Sequence, residues 1–333
     1  MAGLRITVLH GAVPADAPPD ERDVLDEVAA VREALAEVGH RADVAPMDLD
    51  LDSTRRRIAA FRPDLLFNLV ESVAGRGAFI HLGPVVAESL GLPYTGAPLE
   101  GLFQTSNKLL AKHMMRLAGV PTPPWVEDPK RISVPSDGAP WIVKSAWEHA
   151  SVGIDDDAVG TQPTLLDAVL KRRRERYGGS WFAERYVEGR EVNVALIAGR
   201  GGPELLPPAE IRFEGYPRGK PRIVGYRAKW LVGSFEYDQT KRSFDFGTGD
   251  DGLLIDLGTL ATRAWNLFAL EGYARVDFRV DREGRPWVLE VNANPCLSPD
   301  AGLAACARRA GISYAALVDR LVTDALDRAA ARG

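Results

Sequence analysis

The stretch GYARVDFRVDREGRPWVLEVNANP, Gly272 to Pro295, decides the fold. Two runs with strand alternation flank a turn-rich centre, Asp281-Arg282-Glu283-Gly284. Strand side chains alternate with a period of two. Ala274, Val276, Phe278 and Val280 therefore fall on one face, and Arg275, Asp277 and Arg279 on the other. In the second run Trp287, Leu289 and Val291 alternate with Val288, Glu290 and Asn292. A two-residue loop at Arg282-Glu283 is expected to set Glu290 opposite Arg275, with Asp277 on the diagonal. One side of the ribbon is then apolar, and the other gathers two carboxylates, an amide oxygen and a guanidinium.

Two adjacent carboxylates repel each other unless a cation lies between them. The all-oxygen set of Asp277, Glu290 and Asn292 suits Mg²⁺ or Mn²⁺ rather than zinc. Arg275 beside it suits the charge of a transferring phosphoryl group. The competing reading is a surface hairpin with a solvated polar face. Against it, Glu290-Val291-Asn292 leads into Asn294-Pro295 with no surface-type Lys or Thr between.

The surrounding chain bounds the context. Its 333 residues, 46% hydrophobic and 26% charged, suffice for two or three packed units. A net charge of −5 with interspersed signs argues against nucleic acid as partner. The basic runs Arg55-Arg56-Arg57 and Lys171 to Arg176 read as solvated helix faces. Cys296 and Cys306 form no disulfide framework and have no CxxC partner. No stretch approaches the roughly 20 apolar residues that cross a bilayer, and the N-terminal run Leu4 to Leu9 is no signal segment. A cytoplasmic enzyme without a membrane partner is expected.

N-terminally, Leu4 to Leu9, Val44 and Leu65 to Val70 read as buried strands, with an intervening helix from Glu21 to Gly39. This predicts a doubly wound parallel α/β unit over residues 1–105. Ligands lie beyond the carboxyl ends of such strands, which makes His10, Asn68 and Glu71 candidates for substrate contact, weighed against cap or loop roles. Ser106 to Gly119 reads as one amphipathic helix capped by Ser106, with Lys108 in its first turn, where the helix dipole disfavours a cation. Pro140 to Ala146 is a buried strand carrying Lys144, which needs an anion there. The small-residue loop Trp147 to Ile154 follows, whose backbone N–H groups suit phosphate.

Gln162 to Tyr177 is predicted helical, and Ser180 to Val187 and Val192 to Ile197 are predicted strands, separated by a break at Glu188-Gly189-Arg190-Glu191. Arg212 to Phe246 lacks periodicity and reads as a long lid loop containing Lys229-Trp230. Helices are expected at Leu253 to Leu270, Asp300 to Ala310 and Tyr314 to Ala331. The expected divisions are 1–105, a small lobe over 106–187 and a C-terminal lobe over 188–333.

Taken together, KSAWEHASVGI from Lys144, FAERYVEGREVNVAL from Phe182, AKW from Ala228 and the Gly272 to Gly311 segment resemble the ATP-grasp superfamily, in its D-alanine–D-alanine ligase branch. The resemblance implies an ATP-grasp fold, with two α+β lobes enclosing ATP and two Mg²⁺ ions. It implies that Asp277, Glu290 and Asn292 are the metal ligands. Lys108, Lys144 and Ser151 would contact phosphates, Glu184, Tyr186 and Val187 would line the adenine pocket, and Glu191 would accept from the ribose. Arg275 and a backbone N–H near Cys296 would hold the developing oxyanion, with Lys229 on the lid. The implied chemistry activates a carboxylate as an acyl phosphate, which an amine then attacks to give an amide; amino acids or peptides are the implied substrates, and a homodimer the implied assembly.

Several positions depart from the family pattern. HGAVPADAPPDE stands where the family has GGxSxE, and Ala150, Trp230 and Ala301 stand where it has a loop serine, a lid tyrosine and an acceptor-binding serine. Glu71, His149, Trp230, Asp300 and Ala301 are therefore candidate substrate contacts of an altered pocket. The alternatives are an ATP-grasp module that binds nucleotide without turnover and a kinase that releases a phosphorylated product.

Overall fold

In the computed structural model, which describes residues 3–127 and 138–332, the N-terminal apolar run becomes the centre of a parallel sheet. Strands β1 (Arg5–Gly11), β2 (Arg41–Met47) and β3 (Leu65–Leu69) pair in the order β2-β1-β3. Helices α1 (Pro19–Glu37), α2 (Leu51–Phe61) and α3 (Leu82–Ser89) supply the crossovers and flank. Alternation along β1 serves two cores: Ile6 and Val8 pack with Val31 and Leu35 of α1, while Leu9 packs with Met47, Ile58 and Val86. The first core is closed by Leu317, Val318 and Leu321, from the far end of the chain.

The helix expected from Ser106 to Gly119 is present as α5 (Lys108–Leu117), but a separate helix, α4 (Leu99–Ser106), leads into it and its cap is one residue later. The cap of α5 is Asn107, whose Oδ1 accepts from the N–H groups of Leu109 and Leu110. Ser106 instead turns its hydroxyl back to the carbonyl of Leu102. Asn and Ser cap about equally well, and the use of Asn107 places Lys108 at the very start of α5.

The second sheet runs β4-β7-β5-β6, from β4 (Trp125–Val126), β5 (Trp141–Ser145), β6 (Val159–Gly160) and β7 (Trp181–Arg185), backed by α6 (Pro163–Tyr177). Trp141, Val143, Trp181 and Ala183 bury one face against Leu166 and Leu170. The period of two turns Lys144 and Glu184 to the opposite face.

The third sheet is antiparallel, β11-β10-β8-β12-β13 with β9 on β8. It comprises β8 (Arg190–Gly199), β9 (Gly202–Leu205), β10 (Ala209–Phe213), β11 (Thr240–Ser243), β12 (Tyr273–Val280) and β13 (Pro286–Asn292). The segment read as one long lid loop, Arg212 to Phe246, begins at the end of β10 and holds β11 and two short helices, α7 (Tyr226–Trp230) and α8 (Phe235–Gln239). Five-residue helices are too short to leave a periodic signature. β8 begins at Arg190, so Arg190 and Glu191 are strand residues rather than part of a break. Gly189 makes the turn, at φ 150, where a Cβ would meet the Val280 carbonyl oxygen at 1.9 Å. Helix α9 (Asp251–Leu267) covers the apolar face, and α10 (Gly302–Arg309) and α11 (Tyr314–Arg332) end the chain.

The hairpin register differs from expectation. Its loop spans 281–285, closed by Asp281 N–H to the Arg285 carbonyl (3.0 Å), and a bulge adds Leu289. Asp277 thus faces Glu290, and Arg275 faces Asn292. The bulge also changes phase: Val288 joins Val276, Phe278 and Val291 in the core instead of sharing the polar face.

Candidate active site

A cavity of about 830 Å³ opens where the three sheets meet. It is lined by Asp23 of α1, Glu71 after β3, Lys108, Lys144, the 148–151 loop, Glu184 to Val187, Lys229, Trp230 and the polar face of the hairpin. Asp300 and Ala301 lie on the same wall, and the carbonyl of Asp300 accepts from Arg242 (3.0 Å). His10 and Asn68 are elsewhere: both are buried, His10 against the Gly11 carbonyl and Asn68 bonded to Val70 and Thr95. His10 lies within β1 and Asn68 within β3, and neither lines the cleft.

At the hairpin, Asp277 accepts from Nε and Nη2 of Arg275 (2.7 and 2.8 Å), from Asn193 (2.7 Å) and from Asn292 (3.0 Å). Burial disfavours the Arg275 cation, but Asp277 overcomes this and raises its pKa. Glu290 pairs with Lys108 at 3.4 Å. Burial alone would push the Glu290 carboxyl up, yet Lys108, Lys144 and Lys229 hold it well below the usual range. The two carboxylates can therefore stand together without a metal, because the chain supplies a cation to each. Lys108 also donates to the Glu148 carbonyl (2.8 Å).

Lys144 pairs with Glu184, whose other oxygen meets Lys112 at 2.7 Å. Lys112, 1% exposed, further donates to Thr122 (2.7 Å) and the Pro123 carbonyl (3.2 Å). Burial opposes the Glu184 charge, but the two lysines overcome it and lower its pKa. Lys112 was missed from the sequence, although it follows Lys108 by one helical turn and so shares its face. Arg279 joins the neighbouring wall together: it donates to Val187 O (2.9 Å), Tyr186 Oη (3.0 Å) and Glu191 (3.1 Å). Burial raises the Glu191 pKa, with Arg279 opposing.

The cover is α7 and the segment before it. Ser151 Oγ donates to the Val224 carbonyl (2.7 Å), and the Trp230 indole N–H donates to the Ala150 carbonyl (2.9 Å). Ala150 and Trp230, two of the positions expected to depart from the family pattern, thus meet each other. Gly225 permits the approach, since a Cβ there would lie 2.6 Å from the Ile154 carbonyl oxygen. Tyr226 Oη reaches across to Asp20 (2.8 Å), tying the cover to the N-terminal unit. Burial, then Arg275, lowers the Lys229 pKa.

Opposite these cations lies an acidic end that sequence reading only partly foresaw. Burial, then Asp23, raises the Glu71 carboxyl to about 7. Burial and Glu71 push Glu27 well above its usual value. Glu27 accepts from Leu297 N–H (2.5 Å) through Oε1, while its Oε2 has no hydrogen-bond partner among the described residues. The Cys296 thiol contacts Asp23 (3.3 Å), and burial raises its pKa. Asp23 and Glu27 lie on the same face of α1, but in the sequence they merge with the charged surface of that helix.

A family model described as the D-ala D-ala ligase C-terminus matches residues 118–323. A D-alanine–D-alanine ligase of Methylococcus capsulatus is 31% identical, covering 94% of this chain and 93% of its own length. That of Moorella thermoacetica is 28% identical over 97% of this chain and all of its own. An uncharacterized protein, y4sG of Sinorhizobium fredii, is 32% identical, covering 90% of this chain and 86% of itself. In three dimensions, a Bacillus anthracis D-alanine–D-alanine ligase crystallised with ATP superposes with a TM-score of 0.74 at 21% identity, over 99% of this chain and 100% of that one. No helix among the described residues is long and apolar enough to cross a membrane.

Proposed function

The chain belongs to the D-alanine–D-alanine ligase family, ATP-dependent enzymes that form C–N bonds, and we propose that it joins the carboxylate of one amino acid or peptide to the amine of another through an acyl phosphate. The observation that carries this reading is Asp277 facing Glu290, with Arg275 and Lys108 at their flanks. The donor set fits magnesium. Asp277, Glu290 and Asn292 offer hard oxygens, and turning the Asn292 amide over replaces a donor to Asp277 by an acceptor beside it. When bound there, magnesium would neutralise charge on phosphate oxygens.

The chain's own groups do the rest. Lys108 and Lys144 hold phosphate oxygens, Lys144 being kept in place by Glu184. Tyr186, Val187 and Glu191, braced by Arg279, suit the base and ribose. Arg275 and Lys229 draw the charge that develops at the attacked carboxyl. The cover formed by Ser151, Tyr226 and Trp230 keeps water from the acyl phosphate. The acidic end, Asp23 and Glu71, suits the ammonium of an amino-acid substrate. Ala150, Trp230 and Ala301 support a substrate pair other than two D-alanines, because a site missing hydrogen-bonding groups leaves such a small polar substrate short of partners. Phosphate release from Mg·ATP, measured with amino acids singly and in pairs and with mass spectrometry of the products, tests this. An amide formed in step with phosphate supports it; phosphate with no amide across the panel refutes it.

A further inference from the structure

One buried group facing the cavity has no place in the mechanism above. His149 lines the cavity between the covering loop and the hairpin, and its Nε2 has no hydrogen-bond partner among the described residues. A buried ring nitrogen without a partner is unfavourable unless a ligand supplies one. The ring is not loosely held. Its Cδ2 packs over Gly77, lying 3.6 Å from where a Cβ would be, and the flanking carbonyls of Glu148 and Ala150 are bonded to Lys108 and Trp230. The charged groups that act on it most strongly are Lys108, Glu290, Lys229 and Arg275. Three of the four are cations, which favours an anion as the partner of this ring.

Resting on the ligase reading, we propose that the His149 imidazole is a direct ligand of the transferring phosphoryl group, its Nε2–H donating to one of the terminal phosphoryl oxygens of the nucleotide. Lys108 and Lys144 attract the phosphate chain by charge, whereas the neutral ring contributes a directional hydrogen bond that adds no further charge to the site. This contact distinguishes a nucleotide with a terminal phosphoryl group from one that has lost it. The ring therefore favours the triphosphate over the diphosphate.

Binding of Mg²⁺ with adenylyl imidodiphosphate and of Mg·ADP, each titrated calorimetrically on the full chain, tests the assignment. His149→Ala and His149→Asn, both lacking a group at Nε2, are expected to weaken the triphosphate analogue about tenfold and to leave Mg·ADP within twofold. His149→Gln, whose side-chain amide reaches the Nε2 position, is expected to restore most of the loss. Equal weakening of both nucleotides, or no weakening of either, overturns the assignment while leaving the ligase reading intact. Failure of the unaltered protein to bind either nucleotide overturns both.

Discussion

Asp277 stands directly opposite Glu290 in the pairing of β12 with β13, and the extra residue at Leu289 brings them into register. Each carboxylate carries its own counter-charge, Arg275 at 2.7 Å and Lys108 at 3.4 Å. The pair is therefore prepared for a metal ion without depending on one to fold. Asp277→Asn and Glu290→Gln are expected to lower Mg-dependent phosphate release by at least about 100-fold, with a change in Tm of only a few degrees. Activity within tenfold of the unaltered protein in either variant would remove these residues from the proposed metal site.

A second prediction concerns the carboxylate between two lysines. Glu184 is 1% exposed and meets both Lys112 and Lys144, so removing one partner leaves a buried charge poorly compensated. Lys112→Ala is expected to cost roughly 3–5 kcal/mol of stability, read by denaturant unfolding. It is also expected to weaken nucleotide binding, because Lys144 is then the only cation left to Glu184. A loss below about 1 kcal/mol would show that the pair is not a structural support.

Much of this site was legible because strand alternation is strict. Lys144 on an apolar strand, and Arg275, Asp277 and Glu290 on one face of a ribbon, pointed to an anion-binding cleft, and all four line one cavity. The register was not legible. A bulge has no marker in WVLEVN, and only packing of both Val288 and Val291 into one core reveals the extra residue. Lys112 was hidden for a related reason: a lysine on an amphipathic helix resembles any solvated lysine until its face is known. The helix break at Asn107 lay beside an equally credible cap at Ser106, and α7 and α8 were too short for a periodic pattern.

The acidic end predicts a pH dependence of stability. Glu71 titrates at about 7 in the folded chain against 4.5 when unfolded, so between these values the folded state holds the extra proton. This contribution is fully present below pH 4.5 and is lost as pH rises through 7, a change on the order of 3 kcal/mol. The ligand-free protein is therefore expected to lose Tm between pH 5 and pH 8, and Glu71→Gln is expected to flatten that slope and raise Tm at pH 8. Parallel pH profiles for the two proteins would show that Glu71 does not carry the effect.

A hydroxyl, from Tyr226 to Asp20, ties α7 of the cover to the first unit. Tyr226→Phe removes about 1 kcal/mol of closure, or about fivefold in the closed population. ATP hydrolysis uncoupled from amide formation is expected to rise by a similar factor in this variant. An unchanged ratio of phosphate to amide would mean that the cover closes without this tie.

The central claim is that an acid is activated by phosphorylation before it meets the amine. The most direct measurement uses the substrate pair that releases most phosphate, with heavy oxygen in the carboxylate of the activated partner. The account predicts that one labelled oxygen passes into inorganic phosphate and that the amide retains the other. Unlabelled phosphate released alongside a normal yield of amide would contradict it.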